Sequence, residues 1–226
     1  AVEVGEVPVV VSGDGLMGAV GGALAGSEAP VGLIPGGPGN DPPRALGIPD
    51  EPEAAVDVVL AGHRRVIDVG EANGRRFLGI VSVGFDSECN RLANETHFIR
   101  GNLVYAYSMV RTLIGWRSAR FTIVTGGERK RLTGYFVDVA NNSVYGGGMY
   151  IARDAEIEDG LFDVVAITEV GKWRFLGGLR DVLKGAHIDK EEVTTFRAAR
   201  LELDASRPFP VYADGDHLTD LPVSLR

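Results

Sequence analysis

A chain of 226 residues with 45% apolar and 24% charged side chains has the composition of a folded globular protein, enough for one large domain or two modest ones. Its formal net charge of −8 argues against a broad nucleic-acid footprint, because a phosphate-rich partner demands a basic surface. No apolar run approaches the roughly 20 residues needed to span a bilayer. No signal peptide is visible. The single Cys89 excludes an internal disulfide, so a reducing, cytoplasmic compartment is the default. Local basic patches remain open, with Arg111, Arg117 and Arg120 as the candidates.

Two short aliphatic runs organise the N-terminal part, Val7-Pro-Val-Val-Val-Ser-Gly-Asp-Gly15 and Val31-Gly-Leu-Ile-Pro-Gly-Gly-Pro-Gly-Asn-Asp41. Each is apolar on both faces and ends in a glycine-rich turn carrying an aspartate, the pattern of a buried parallel strand in an α/β sheet. Ligands of such sheets sit beyond the carboxyl ends of the strands. Glycines there, Gly13, Gly15, Gly37 and Gly39, let a backbone approach a phosphate closely, and a helix starting just after adds a favourable dipole. Asp14 and Asp41 at one edge would suit Mg2+, which prefers oxygen ligands; the plainer alternative is that each caps a turn or a helix. A helix is expected over Met17–Ala25, where Gly18, Gly21 and Gly22 each cost about 1 kcal/mol relative to alanine and read as close helix–strand packing. After the strand Val31–Ile34, Asp41 is expected as an N-cap with Pro42 at the first helical position. A helix over Pro52–Leu60 is closed by Gly62. Two parallel strands do not make a stable sheet alone, so further β-α units are expected upstream of Ala1, the alternative being a processed mature start.

The character changes at His63. Strands are expected at Arg65–Val69, Arg76–Val83, Arg120–Val124, Leu132–Ala140, Phe162–Thr168, Val193–Asp204 and Val211–Asp214, with Asn73-Gly74 and Gly126-Gly127 as hairpin turns. Helices at Asn102–Trp116 and Lys172–Leu183 interrupt them. The second part therefore reads as mostly antiparallel β, a sandwich with inserted helices. The helix Asn102–Trp116 carries Leu103, Tyr107, Val110 and Ile114 at helical spacing, with Val104, Tyr105 and Met109 on other faces. That pattern fits a helix buried on two sides or one wall of an acyl-chain cleft. Glu156, Glu158, Asp159 and Asp163 cluster around Gly160, which by itself describes a solvated turn. His63, His97, His187 and His217 share no metal-ligand spacing. Pairing of exposed sheet edges would make a homo-oligomer, which the sequence leaves open.

Several motifs in one order carry a resemblance. Ser12-Gly-Asp-Gly-Leu-Met17 resembles the nucleotide loop of diacylglycerol kinases and sphingosine kinases, its Leu-Met ending closer to the sphingosine branch. Pro35-Gly-Gly-Pro-Gly-Asn-Asp41 with Arg44-Ala-Leu-Gly-Ile-Pro49 is similar to the second nucleotide loop of bacterial lipid kinases of that family. Gly84-Phe-Asp86, Asn141 with Tyr145-Gly-Gly-Gly-Met149, Glu158-Asp-Gly-Leu-Phe-Asp163 and Ala213-Asp-Gly-Asp216 recur there in the same order. The likeness covers nearly the whole chain. It departs at Leu16, where bacterial members usually have Thr, at Pro38, where a Thr or Ser is usual, and at Pro42-Pro43, which replaces Phe-Ala.

The resemblance implies α/β plus mostly-β architecture. Residues 1–63 would form a partial Rossmann-like nucleotide-binding domain and 64–217 a β-sandwich lipid-binding domain, with a C-terminal strand in 218–226 (Pro222–Leu225) returning to the nucleotide domain. It implies an ATP-dependent, Mg2+-requiring kinase acting on a lipid hydroxyl, of diacylglycerol or a sphingosine-like relative, with peripheral membrane contact. Ser12, Gly13, Asp14, Gly15, Gly37, Gly39, Asn40 and Asp41 would bind the nucleotide, Asp41 with Asp14 also engaging the metal. Asp214 would be the general base with Asp216 beside it, although the sphingosine branch assigns that role to the position of Asp14. An Asp-Gly hairpin turn explains Asp214 equally well. Asp159, the carbonyl of Leu161 and Glu156 would form a structural Mg2+ site. The alternative function is a catalytically impaired lipid-binding or regulatory protein, motivated by Pro38 and the missing start.

Overall fold

The computed structural model describes residues 6–99, 101 and 103–226. In the N-terminal part β1 (Val9–Ser12) leads through a glycine turn into α1 (Asp14–Leu24), and β2 (Gly32–Pro35) lies parallel to β1, Val10 opposite Leu33 and Ser12 opposite Pro35. Met17 of α1 is fully buried on Val10 and Leu33, with Val20, Val31, Leu46 and Ile48 closing a small core. β1 is covered on one face only, Val9 and Val11 being exposed, so its two-sided apolar pattern is only half used. The helix starts at Asp14 rather than Met17. That places the Asp14 carboxylate in the first turn, where the backbone N–H groups and the dipole favour an anion.

Two short helices follow, α2 (Asp41–Ala45) and α3 (Pro52–Ala61), the latter ended by Gly62 at φ 70° as expected. The N-cap of α2 is Asn40, not Asp41, in the left-handed region at φ 59°. The Asn40 side chain accepts from the Gly37 N–H at 2.9 Å and donates to the Gly37 carbonyl at 2.8 Å. That closed loop fixes the turn and leaves the Asp41 carboxylate free to reach elsewhere.

The rest of the chain builds around one large antiparallel sheet folded into a sandwich. Its elements are β3 (Gly70–Ala72), β4 (Arg75–Phe77), β5 (Ile80–Gly84), α4 (Phe85–Glu95), α5 (Leu103–Gly115), β6 (Ala119–Thr125), β7 (Glu128–Ala140), β8 (Phe162–Thr168), α6 (Lys172–Val182), β9 (Val193–Ala198), β10 (Leu201–Ala205), β11 (Pro210–Ala213), β12 (Asp216–Asp220) and β13 (Val223–Leu225). The strand order is β12-β11-β5-β7-β6-β10-β13-β3-β4, with β8 also pairing β7 and carrying β9. The first half of β7 pairs with β6 across the Gly126-Gly127 turn, and its second half pairs with both β5 and β8. Residues Gly134–Ala140 are buried throughout, as a strand covered on both faces requires. In β6 only Ala119, Phe121 and Ile123 turn inward, the alternation of a strand with one wet face.

Several expectations change. Residues 65–69 run without strand pairing, and the tight Asn73-Gly74 hairpin joins β3 to β4 instead. The apolar run Arg76–Val83 is cut at Leu78-Gly79, and Val193–Asp204 divides into β9 and β10. The helix expected at Asn102–Trp116 is α5; Asn102 itself lies outside the described residues. It packs on α4 and buries Ser108 and Leu113, while Leu103, Val110 and Ile114 are exposed. It is therefore not buried on two sides. β13 runs between β10 and β3 in the large sheet, and the β3–β4 hairpin of that sheet packs on α1, Arg76 donating to the Gly22 carbonyl. Among the described residues no helix is long and apolar enough to cross a membrane.

Candidate active site

The turns after β1 and β2 meet at the carboxyl ends of the two parallel strands. A Cβ at Gly37 would strike the Gly13 backbone, and one at Gly39 would strike Asp14 Oδ2, so glycine at both positions is what lets the loops close on each other. Asp14 Oδ1 accepts the Asp41 N–H at 2.7 Å. Asp41 Oδ1 in turn accepts the N–H of Gly147 at 2.8 Å, from the Gly146-Gly147-Gly148 loop of the sandwich. Arg44 Nη1 lies 3.6 Å from Asp41 Oδ1 and donates to the Gly39 carbonyl at 2.8 Å, while Nη2 holds Asp50. Asp14 and Asp41 thus form a chain of contacts from one lobe to the other.

Asp214 arrives from the opposite side. It occupies the β11–β12 turn at φ 53°, with Gly215 at φ 84°, the paired left-handed conformations of a two-residue hairpin turn. Ala213-Asp-Gly-Asp216 is the hairpin turn of the plainer reading, and the hairpin aims the Asp214 carboxylate inward. Asp214 Oδ2 accepts the Leu78 N–H at 2.9 Å and Oδ1 the Gly79 N–H at 2.8 Å. Those two N–H groups are taken from the β-ladder, which is why the run Arg76–Val83 breaks there. The turn abuts α1: a Cβ at Gly18 would lie 2.7 Å from Asp214 Oδ2, and one at Gly15 would lie 2.7 Å from Asp216 Oδ2. Gly18 therefore packs against this carboxylate as well as shaping the helix.

The electrostatics of the three acids follows from their burial and their neighbours. Burial, then repulsion from Asp41, pushes the Asp14 carboxyl up to about 6 against the pull of Arg44. Burial raises Asp41 too, against the Gly147 N–H and Arg44. Asp214 is pushed up to about 6 by burial, with Asp14 and Asp41 adding to it and the Leu78 and Gly79 N–H groups opposing. Asp41 thus raises Asp14, both raise Asp214, and the Arg44 guanidinium opposes at Asp14 and Asp41. A divalent cation fits such a place: Mg2+ commonly takes one or two carboxylates together with substrate phosphates.

The other named positions fall differently. Ser12 closes the β1 turn, its carbonyl accepting from Gly36 N–H at 2.9 Å. Asp159 Oδ1 accepts the N–H of Leu161 at 2.9 Å, and Oδ2 is paired with Arg197, which also reaches Asp163. Glu156 lines a mixed polar and apolar cavity of about 290 Å³ with Ala45 of α2, Arg65, Asn142, Ser143, Ile157 and Glu158. Among the described residues no group of three or more His, Cys, Asp or Glu side chains is arranged to hold a metal ion. Sequence reasoning missed Arg44 as a charge partner, the Gly147 N–H as the inter-lobe link, and Leu78-Gly79 as the seat of Asp214. The motifs containing Arg44 and Gly147 had been singled out; nothing in an apolar run marks Leu78.

Comparison with known proteins agrees with this architecture. Residues 3–72 match the diacylglycerol kinase catalytic domain, and residues 79–226 match the YegS C-terminal NAD kinase beta sandwich-like domain. The chain is 34% identical over 227 residues to a diacylglycerol kinase of Mycobacterium tuberculosis, covering 97% of this chain and 73% of that protein. It is 30% identical to a diacylglycerol kinase of Bacillus subtilis, covering 96% and 73%. A crystal structure of a putative diacylglycerol kinase from Bacillus anthracis shares the fold with a TM-score of 0.75 at 21% identity, covering 96% of this chain and 73% of that one. The architecture, a small α/β unit with two glycine-rich turns set against a β-sandwich, is that of a lipid kinase. The chain belongs to the diacylglycerol kinase catalytic-domain family.

Proposed function

We propose that the protein is an ATP-dependent lipid kinase that transfers the γ-phosphoryl group to a free hydroxyl of diacylglycerol or a closely related lipid. The observation that carries this reading is the meeting of Asp14, Asp41 and Asp214 from three separate chain segments at the junction of the two lobes. Phosphoryl transfer asks a protein for positioning and charge neutralisation more than for covalent chemistry. The glycine loops and the start of α1 offer close backbone approach and N–H groups to the nucleotide phosphates. Asp14 and Asp41 would hold Mg2+, whose contribution when bound is to neutralise phosphate charge.

Asp214 is the candidate general base. In the transfer the lipid oxygen attacks the γ-phosphorus, its proton passes to Asp214, and the bond to the ADP oxygen breaks. The Leu78 and Gly79 N–H groups fix the carboxylate in place while leaving lone pairs on both oxygens. Asp216, exposed beside the first turn of α1, adds negative charge at the mouth. The competing reading, a lipid-binding protein without transfer activity, rests on Pro38, which brings the loop neither a hydroxyl nor an N–H. Incubating the protein with labelled ATP, Mg2+ and a panel of hydroxyl-bearing lipids tests the proposal. Label appearing in a lipid phosphate supports it; no lipid product, with no heat on titrating Mg-ATP in a calorimeter, overturns it.

A further inference from the structure

We propose that Tyr145 is a positioning residue for Asp41: its hydroxyl, seated in a polar cluster inside the sandwich, holds the three-glycine loop that grips the Asp41 carboxylate. This deepens the kinase reading and rests on it for what Asp41 does, though not for how Asp41 is held. The loop is shaped for an anion. Gly147 N–H donates to Asp41 Oδ1 at 2.8 Å, and the N–H groups of Gly146 and Gly148 face the same carboxylate. The three glycines take φ values of 58°, 83° and 115°, which turns successive N–H groups to one side in the manner of a backbone nest. Tyr145 and Met149 close the turn by exchanging backbone hydrogen bonds, both at 2.8 Å. A Cβ on Gly147 would lie 3.6 Å from the Pro38 carbonyl, so the loop also rests on the second glycine-rich turn.

Three glycines in a row carry no side chain to hold that direction, and Gly146 and Gly147 are exposed. Tyr145 supplies the hold. Its hydroxyl accepts from Asn90 Nδ2 of α4 at 2.7 Å, and the same amide reaches Ser82 Oγ of β5 at 3.3 Å. The proton of the phenol is directed to Asp86, in the first turn of α4. Asp86 and Asn90 stand four residues apart, hence on one face of that helix. Burial, with Asp86 and Asp138 beside it, raises the phenol well above its ordinary range, so the hydroxyl keeps the proton it donates. Packing alone does not call for these acids in a core, where an unpaired polar group costs stability. What the cluster provides is a donor and an acceptor on one hydroxyl, both carried by α4, so that helix sets where the loop points.

The test compares the unaltered protein with Tyr145→Phe, which keeps the ring and removes one oxygen. Tyr150→Phe, which removes the same atom from an exposed ring just past the turn, is the control. With no ligand present, amide exchange of Gly147 should quicken by about tenfold in Tyr145→Phe and stay unchanged in Tyr150→Phe. Mg2+ affinity by calorimetry, without nucleotide, should fall by about tenfold or more, the usual loss when the support of a metal ligand is removed. KM for Mg-ATP should rise by a similar factor while kcat changes by less than about twofold. Asn90→Ala should reproduce these changes, and the double variant should be no worse than either alone, because both act through one hydrogen bond. If Tyr145→Phe does not fold, Asn90→Ala decides by the same measurements. Unchanged Gly147 exchange in the folded variant overturns the inference. So does an equal change in Tyr150→Phe, a double variant whose losses multiply, or a loss confined to kcat. If the unaltered protein transfers no phosphate while the exchange responds as expected, the positioning role stands and the phosphoryl-transfer reading fails.

Discussion

At the scale of single residues, position decides protonation. Asp214 sits in a hairpin turn with its carboxylate on two backbone N–H groups, and burial still pushes it up to about 6. A general base works only when ionised, so lipid phosphorylation should rise with pH through about 6 and level off above it. A pH profile of kcat between 5 and 8 checks this; a flat profile argues against Asp214 as the base. A second group of acids is buried within the sandwich. Asp138 of β7 is fully buried, both its oxygens and Oδ2 of Asp86 lack hydrogen-bond partners among the described residues, and Tyr145 and Ser82 lie against Asp86. Burial raises both carboxyls, Asp86 to about 6 and Asp138 well above its usual range, where the charge of Asp86 adds to it. The sign follows: the folded protein keeps protons that the unfolded chain releases above about pH 4, so stability falls as pH rises, by about 1.4 kcal/mol per pH unit for each proton retained. Asp138→Asn should therefore raise the melting temperature at pH 7.5, by a few degrees or about 5 °C, and leave it unchanged near pH 4. Equal shifts at both pH values in a melting series contradict that assignment.

At the scale of elements, close approach of backbones does what charged side chains alone cannot. Gly39→Ala places a methyl on Asp14 Oδ2 and should break the Asp14–Asp41 hydrogen bond, so kcat/KM for ATP should fall by roughly tenfold or more for a misplacement of about 1 Å. Gly47→Ala offers a control, since its Cβ meets nothing within 4 Å although its φ of 74° costs some stability. Equal losses of activity in the two variants contradict the reading of Gly39. The same logic shows which elements the sequence made legible. Glycine pairs with left-handed φ, Asn73-Gly74 and Gly126-Gly127, mark their hairpins because few other residues adopt that backbone. Helix α4 escaped notice because Asp86, Ser87, Asn90 and Asn94 are indifferent helix formers; its start is fixed by Ser87 Oγ, which accepts the Gly84 N–H at 3.0 Å. The break at Leu78-Gly79 is invisible locally, being imposed by Asp214 from far along the chain. The apolar residues of α5 suggested burial on two sides, since periodicity reports an apolar face but not what covers it.

At the scale of the whole molecule, the two lobes are joined by polar contacts at two places: Gly147 to Asp41 at the glycine-rich turns, and Arg76 of the β3–β4 hairpin to Gly22 near the end of α1. Such a junction brings acids from both lobes together, and the sequence could name those acids without showing that they meet. If Asp14 and Asp41 hold Mg2+, the cation should raise the melting temperature at pH 7.5, and Asp41→Asn should remove that gain; a shift that survives the substitution places the ion elsewhere. The most direct measurement is the rate of diacylglycerol phosphorylation by the unaltered protein and by Asp214→Asn, alongside Mg-ATP affinity by calorimetry. The account predicts a fall in kcat of about 100-fold or more with ATP affinity nearly unchanged. Near-normal turnover by Asp214→Asn would contradict it.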